Sequence, residues 1–343
     1  MRRKTGRAAR LVLGGLLLAL VTGLAACSSG SAGDTPLPAG DGTTLPPLEP
    51  VRLGEGEKLR VVATTSIIGD VVAQVGDDAI DLTVLIGRGQ DPHSYEPVAR
   101  DLAAIERAHV IFVNGLGLEE GLMGSIEATA NGPIVPLSAG IEPLEFAGGG
   151  HDQEGEGEHH TLDPHVWMDP DNVIIWTETI RDTLSTLDPA HAELYASNAE
   201  AYIRQLEALD AYIREQVAKI PPERRKLVTD HMTFGYFAKA YGFEMIGTII
   251  PGVTTTAGAS AGDMAALVNT LQEEGVTAIF VGISASDQIQ QLTQTLAQEA
   301  GTSIRVLPLY TGSLDEPGEP GDSYLGMMRY NVDQIVAGLA PSE

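Results

Sequence analysis

Thirty-two consecutive residues, 189–220 (PAHAELYASNAEAYIRQLEALDAYIREQVAKI), contain no glycine and no proline after the first position. Leu194, Ile203, Leu206, Leu209, Ile213 and Val217 recur mostly three or four residues apart, the spacing of one helix face. Asp188 can cap such a helix and Pro189 suits its first turn. Pro221-Pro222 stops it. At 1.5 Å per residue the segment predicts a rigid helix of roughly 48 Å. That is longer than one small domain requires, so the chain on either side has to be arranged around it.

Both flanks alternate short β-branched runs with amphipathic stretches. Before the long helix, strands are expected at 59–64, 81–86, 109–113 and 134–137, with helices at 67–75, 97–107 and 118–129. After it, strands are expected at 226–229, 244–249, 278–281 and 304–307, with helices at 233–241, 262–274, 287–300 and 322–339. Strand–helix alternation of this length implies βαβ units and mainly parallel sheets. The fold class is therefore α/β: a lobe over 58–187, the linker helix over 188–221 and a second lobe over 222–343. The 343 residues are 43% apolar, enough to bury two cores. A ligand is expected in the cleft between lobes, at the carboxyl ends of the strands.

Residues 1–10 are basic, 11–21 (LVLGGLLLALV) are apolar, and small residues follow, the layout of a secretory signal peptide over 1–26. The run Leu24-Ala25-Ala26-Cys27 resembles a bacterial lipobox and holds the only cysteine of the chain. Lipidation of Cys27 would tether the mature protein to the outer face of the cell membrane. Residues 27–57, rich in Gly, Ser, Pro and Thr, read as a disordered tether. A single cysteine also excludes a disulfide framework and an iron–sulfur cluster within one chain.

Forty-seven acidic and 21 basic side chains leave a formal charge of −26. That excess opposes nucleic-acid binding, which needs clustered Lys and Arg, and suits a protein that handles cations. Three of the eight histidines stand in loops after predicted strands: His93 in DPHSYEP, His165 in DPHVWMDP and His231 in TDHMTFGYFAKAYG. Imidazole suits borderline divalent ions, and Asp91, Asp163, Asp169 and Asp230 are placed to orient the rings. Any one histidine is more often a cap or a hydrogen-bonded loop residue. The repeated Asp-Pro-His, at 91–93 and 163–165, shifts the balance, because proline stiffens the loop that presents each ring. His151, His159 and His160 sit in GGGHDQEGEGEHH (148–160), either an auxiliary low-affinity metal collector or a solvated acidic loop. His109 and His191 read as structural.

DPHSYEP, DPHVWMDP, HMTFGYFAKAYG and GDSYLGMMRYNVDQIV together resemble the motifs of the metal-binding lipoproteins of bacterial zinc and manganese ABC importers, in the same order and over about 59–339. The resemblance implies a monomeric solute-binding protein that delivers a divalent ion to a membrane permease with a separate ATPase. It places metal ligands at His93, His165 and His231. It also implies Zn2+ rather than Mn2+, since a histidine at the third position marks zinc members and a glutamate many manganese members; a His-rich acidic loop marks zinc members too. The family's fourth ligand is an aspartate, in a segment like Tyr-Ser-Asp-Ser-Leu. Here Tyr310-Thr311-Gly312-Ser313-Leu314-Asp315 puts Gly312 in its place. Asp315 is then the candidate fourth ligand, with water as the alternative; Asp263, Glu316 and Asp322 are further acids of that lobe.

Three other functions are open to such a chain. The same fold could carry Mn2+ or Fe2+. An extracytoplasmic zinc hydrolase would use three histidines and an open position, with Asp315 or Glu96 as base, but HExxH, GxSxG and GxxxxGK(S/T) are all missing from the chain. On a cell-adhesion role the residues are silent.

Overall fold

The computed structural model describes residues 44–146, 162–301 and 304–341. Two four-stranded sheets, every neighbouring pair parallel, form the two lobes. The first comprises β1 (Leu59–Thr65), β2 (Ile80–Ile86), β3 (Val110–Val113) and β4 (Ile134–Pro136), in the order β2-β1-β3-β4. The second comprises β5 (Lys226–Thr229), β6 (Glu244–Thr248), β7 (Ala278–Gly282) and β8 (Arg305–Leu309), in the corresponding order β6-β5-β7-β8. In each sheet the strand order reverses beside the first strand, and the crevice at such a reversal is where open α/β sheets take ligands.

Period-two patterning sorts the strand residues between cores. Leu59, Val61 and Ala63 of β1, Val110 and Phe112 of β3, Leu227 of β5, and Ala278 and Phe280 of β7 all enter one large cluster. The alternate residues Val62, Ile111 and Val113 face Ile105 of α2 (Ala99–Arg107) and Leu122 and Ile126 of α3 (Glu120–Thr129). Val228 and Ile279 face Leu267 and Leu271 of α7 (Ala261–Glu273) and Leu296 of α8 (Asp287–Ala300). The large cluster therefore runs unbroken from one lobe into the other. It is filled by α1 (Ser66–Gly76), α4 (Pro170–Leu187), the linker helix α5 (Ala192–Val217) and α9 (Tyr324–Leu339). The short α6 (Gly235–Tyr241) adds Tyr236, Phe237 and Tyr241.

The linker helix is shorter than its sequence suggests. Pro189–His191 forms a 3-10 turn, and the α-helix proper has 26 residues, about 39 Å. Asp188 does not cap it, because its Oδ2 is held by His191 Nδ1 at 2.6 Å and accepts from Tyr195 Oη at 3.0 Å. Tyr195, Ala199, Tyr202, Leu206, Leu209, Ile213 and Val217 form its buried stripe.

Two further differences concern the ends of the first lobe. No element is expected over 170–187, yet α4 lies there, capped by Asp169, which accepts from Asp171 N at 3.0 Å, with Pro170 at its first position. Residues 44–57, read as part of a disordered tether, lie against the body. Val51 N–H donates to Leu187 O at 2.8 Å, and Leu48, Val51 and Leu53 pack partly buried on the core. Three spaced apolar residues on a proline-stiffened chain can dock in this way at little entropic cost. The signal segment, Cys27 and the histidines at 151, 159 and 160 lie outside the described residues. Among the described residues, no helix is long and apolar enough to cross a membrane.

Candidate metal centre

Each Asp-Pro-His segment folds into an aspartate-centred turn. His93 N–H donates to Asp91 Oδ1 at 3.1 Å, and His165 N–H donates to Asp163 Oδ1 at 3.0 Å. An aspartate side chain bonding the backbone two residues on is the usual Asx turn, and the intervening proline fixes the path between. The repeat thus encodes the same local geometry twice. In the second lobe, His231 N–H donates to Asp230 Oδ1 at 3.0 Å, and Thr229 Oγ1 donates to His231 O at 2.6 Å.

The three loops bring three rings together. Centroids are 5.3 Å apart for His93–His165, 5.5 Å for His93–His231 and 5.1 Å for His165–His231. Ligand atoms of all three lie within 4.8 Å of one another. His93 and His165 point their Nε2 atoms at each other at 3.2 Å. Two nitrogens bound to one ion at about 2.0–2.1 Å in tetrahedral geometry stand about 3.3 Å apart, so this pair is spaced for a shared ion. His93 and His165 belong to the first lobe and His231 to the second, and the cluster bridges the cleft.

The electrostatics keep the rings ready to ligate. Burial, then the neighbouring His165 and His231, push His93 down to about 3. Burial, then His231, hold His165 well below the usual histidine range. Both are therefore neutral at pH 7, the form that binds metals. On the far side of His165, Nδ1 lies 2.8 Å from Asp163 Oδ1, the carboxylate–histidine arrangement that leaves Nε2 free for an ion. Burial pushes that Asp163 carboxyl up to about 7. Burial also pushes Asp230 upward, but His231 and the N–H of Gly282 outweigh it and leave the carboxyl below its ordinary value.

Asp315 does not join the cluster. Its Oδ2 accepts from Tyr310 Oη at 2.6 Å and its Oδ1 from Glu316 N at 2.8 Å. Among the described residues, the only cluster of three or more His, Cys, Asp or Glu spaced for a metal ion is formed by the three histidines. Gly312 lies beside them, in the wall of a cavity of about 350 Å³ that also includes His93 and His231.

Several positioning residues escaped the sequence reading. Asn114 Nδ2 donates to Pro164 O at 2.9 Å and so grips the His165 loop. The buried Glu119 accepts from Asn114 N at 2.6 Å and from Thr64 Oγ1 at 2.7 Å. Trp167 stacks edge-on to His165 and donates through Nε1 to Thr311 O at 3.0 Å, across the lobes. Thr233 Oγ1 sits 2.8 Å from His231 Nε2. Thr255 Oγ1 donates to Asp91 Oδ2 at 2.6 Å, again across the lobes. Thr233 and Trp167 had a local signal, each two residues from a candidate ligand; Asn114 and Thr255 find Pro164 and Asp91 far along the chain.

Comparison with known proteins agrees with this architecture. The family model of the zinc-uptake complex component A, periplasmic (ZnuA), matches residues 61–338. The manganese-binding lipoprotein MntA of Halalkalibacterium halodurans is 35% identical, over 83% of this chain and 90% of its own. The iron ABC transporter substrate-binding lipoprotein MtsA of Streptococcus pyogenes serotype M1 is 33% identical, over 84% and 91%. The periplasmic zinc-binding protein TroA of Treponema pallidum superposes with a TM-score of 0.73 at 31% identity, over 83% of this chain and all of that one.

These relatives overturn the preference for zinc over manganese drawn from His231, since curated relatives at 33–35% identity are named for manganese and iron. The physical fault lies in reading cargo from donor type. Sites built of nitrogen and oxygen bind zinc more tightly than manganese or iron(II) whatever they deliver, so selectivity comes from geometry and metal supply. The chain belongs to the family of the zinc-uptake complex component A, periplasmic: it is a non-catalytic, extracytoplasmic metal-binding lipoprotein of an ABC-type metal importer.

Proposed function

We propose that this protein captures a first-row divalent ion, manganese or iron(II), with His93, His165 and His231 as its protein ligands, and passes it to the importer's permease. The observation that carries the reading is the meeting of three ring nitrogens from three separate loops within 4.8 Å. The relatives named for manganese and iron support the choice of ion. The neutral, pre-oriented rings of His93 and His165 bind without first losing protons. Asp163 and Asp230 hold the rings from behind. The shared core between lobes gives a nearly fixed site, so release is a matter of the loops that carry His93 and His231.

The test is a competition titration of the metal-free protein with Mn2+, Fe2+ and Zn2+ against a chelator of known affinity. One tight site of unit stoichiometry is expected, lost in His165→Ala and His231→Ala. Uptake assays with the importer then rank the cargo. Tight binding that survives both substitutions would reject the three-histidine site, and uptake of neither manganese nor iron would reject the cargo.

A further inference from the structure

We propose that the cargo ion is taken up together with a small carboxylate from solution, which supplies the oxygen donors that this chain does not. The inference rests on the three-histidine reading above and deepens it by naming the form of the substrate.

Three imidazoles are too few donors for a complete shell. A tetrahedral ion needs one more ligand, and manganese or iron(II) in octahedral geometry needs three, with oxygen preferred by manganese. Gly312 offers no side chain, and the Asp315 carboxylate is taken by Tyr310 and Glu316. The nearer acids are also held by protein donors. Asp91 accepts from His93 N, Ser94 Oγ and Thr255 Oγ1, and Asp230 from His231 N and Gly282 N.

What adjoins His93 and His231 instead is space, with hydroxyl groups in a partly apolar wall. The cavity of about 350 Å³ is bounded by His93, His231 and Gly312, by the hydroxyl residues Thr255, Ser284 and Ser286, and by Asp91 and Asp230, whose carboxylates are already engaged by the protein donors just named. A lone ion with one water fills little of it, since a water occupies about 30 Å³. Small-molecule sites begin at about 300 Å³. The start of α8 contributes Ser286 and Ile289 to the wall, and a helix N-terminus favours an anion. Imidazole ligates a metal in its neutral form, so an anionic oxygen ligand also offsets the charge of a buried divalent ion. A hydroxy-carboxylate chelator matches that space, charge and donor type; a simple monocarboxylate has the same chemistry and less reach.

Native mass spectrometry and calorimetry on the metal-free protein test this with Mn2+ alone, Mn2+ with citrate, and Mn2+ with acetate, at matched free Mn2+. A 1:1:1 protein–manganese–carboxylate mass is expected, with apparent affinity raised at least tenfold. Citrate alone producing the effect identifies a chelate, and acetate sufficing identifies a simple anion. Ile289→Trp, which fills the cavity from its α8 wall and is not a metal ligand, should lose the ternary mass while keeping Mn2+ binding. Gly312→Asp supplies the carboxylate in cis and should abolish the citrate effect. A Cβ there lies 3.0 Å from Pro92 Cδ, so Pro92 has to shift by a few tenths of an ångström, and Ile289→Trp stands as the independent variant. Mn2+ bound equally well in every arm, with no ternary mass, overturns the inference and leaves the metal site standing. No binding of Mn2+ in any arm, nor of Fe2+ in the same three arms, overturns the metal site itself.

Discussion

His93 and His165, 72 residues apart in sequence, face each other through their Nε2 atoms at 3.2 Å. Two neutral nitrogens at that distance share at most one proton, and the arrangement is relieved by a cation between them. Removing either ring should remove the relief as well as a ligand. For His165→Ala we expect a loss of metal affinity beyond about 100-fold, exceeding the 10–100-fold typical of a residue that merely orients a ligand. Competition titration reads it directly, and a loss under tenfold would place the ion elsewhere.

Binding should compete with a proton on Asp163 rather than on His93 or His165. Burial raises this carboxyl to about 7, so below that pH the free protein carries its proton. An ion on His165 favours the carboxylate behind it, and binding then expels the proton. Apparent affinity should fall by up to about tenfold per pH unit below pH 7 and level off above it. His93, at about 3, adds no competition in this range. Calorimetry in buffers of different ionisation enthalpy counts the protons released; three or more near pH 6 would mean that His93 or His165 also titrates in that range. Asp163→Asn should flatten the pH profile and weaken binding about 10–100-fold.

Tyr324 is buried and donates through Oη to the carbonyl of Trp167 at 2.8 Å, joining α9 to the loop after His165. Tyr324→Phe keeps the ring and leaves a buried carbonyl without that donor. The expected cost is about 1–3 kcal/mol, seen as a lowered midpoint in denaturant with an unchanged slope.

Because one apolar cluster spans both sheets, the lobes should not unfold separately. Leu206, fully buried in α5, touches that shared core. Leu206→Ala should cost about 2–5 kcal/mol and lower a single calorimetric transition. Two resolved transitions, only one of them shifted, would show that the lobes are independent.

Much of this was legible in one dimension. Consecutive apolar residues such as Val61, Val62 and Ala63 announced strands. The glycine-free stretch before Pro221 announced the linker. The twin Asp-Pro-His segments announced rigid loops, and their Asx turns are local, which is why the motif is readable. The cap-and-proline pair Asp169-Pro170 also announced α4, but the same residues close a candidate metal motif and were read only as that. Asp315 lies outside the three-histidine group, and Tyr310 and Glu316 N hold its carboxylate, a pairing that spacing along the chain does not announce.

What the sequence by itself determined was the parallel α/β architecture, the linker and the list of histidines able to ligate, because periodicity and turn chemistry act over a few residues. The tertiary structure alone decided which of those histidines meet and which acid stays away. It also decided that Asn114 and Trp167 hold the loops in place. Those choices are made by contacts between residues 50 to 144 positions apart, and such contacts exist only once two sheets have closed around one core.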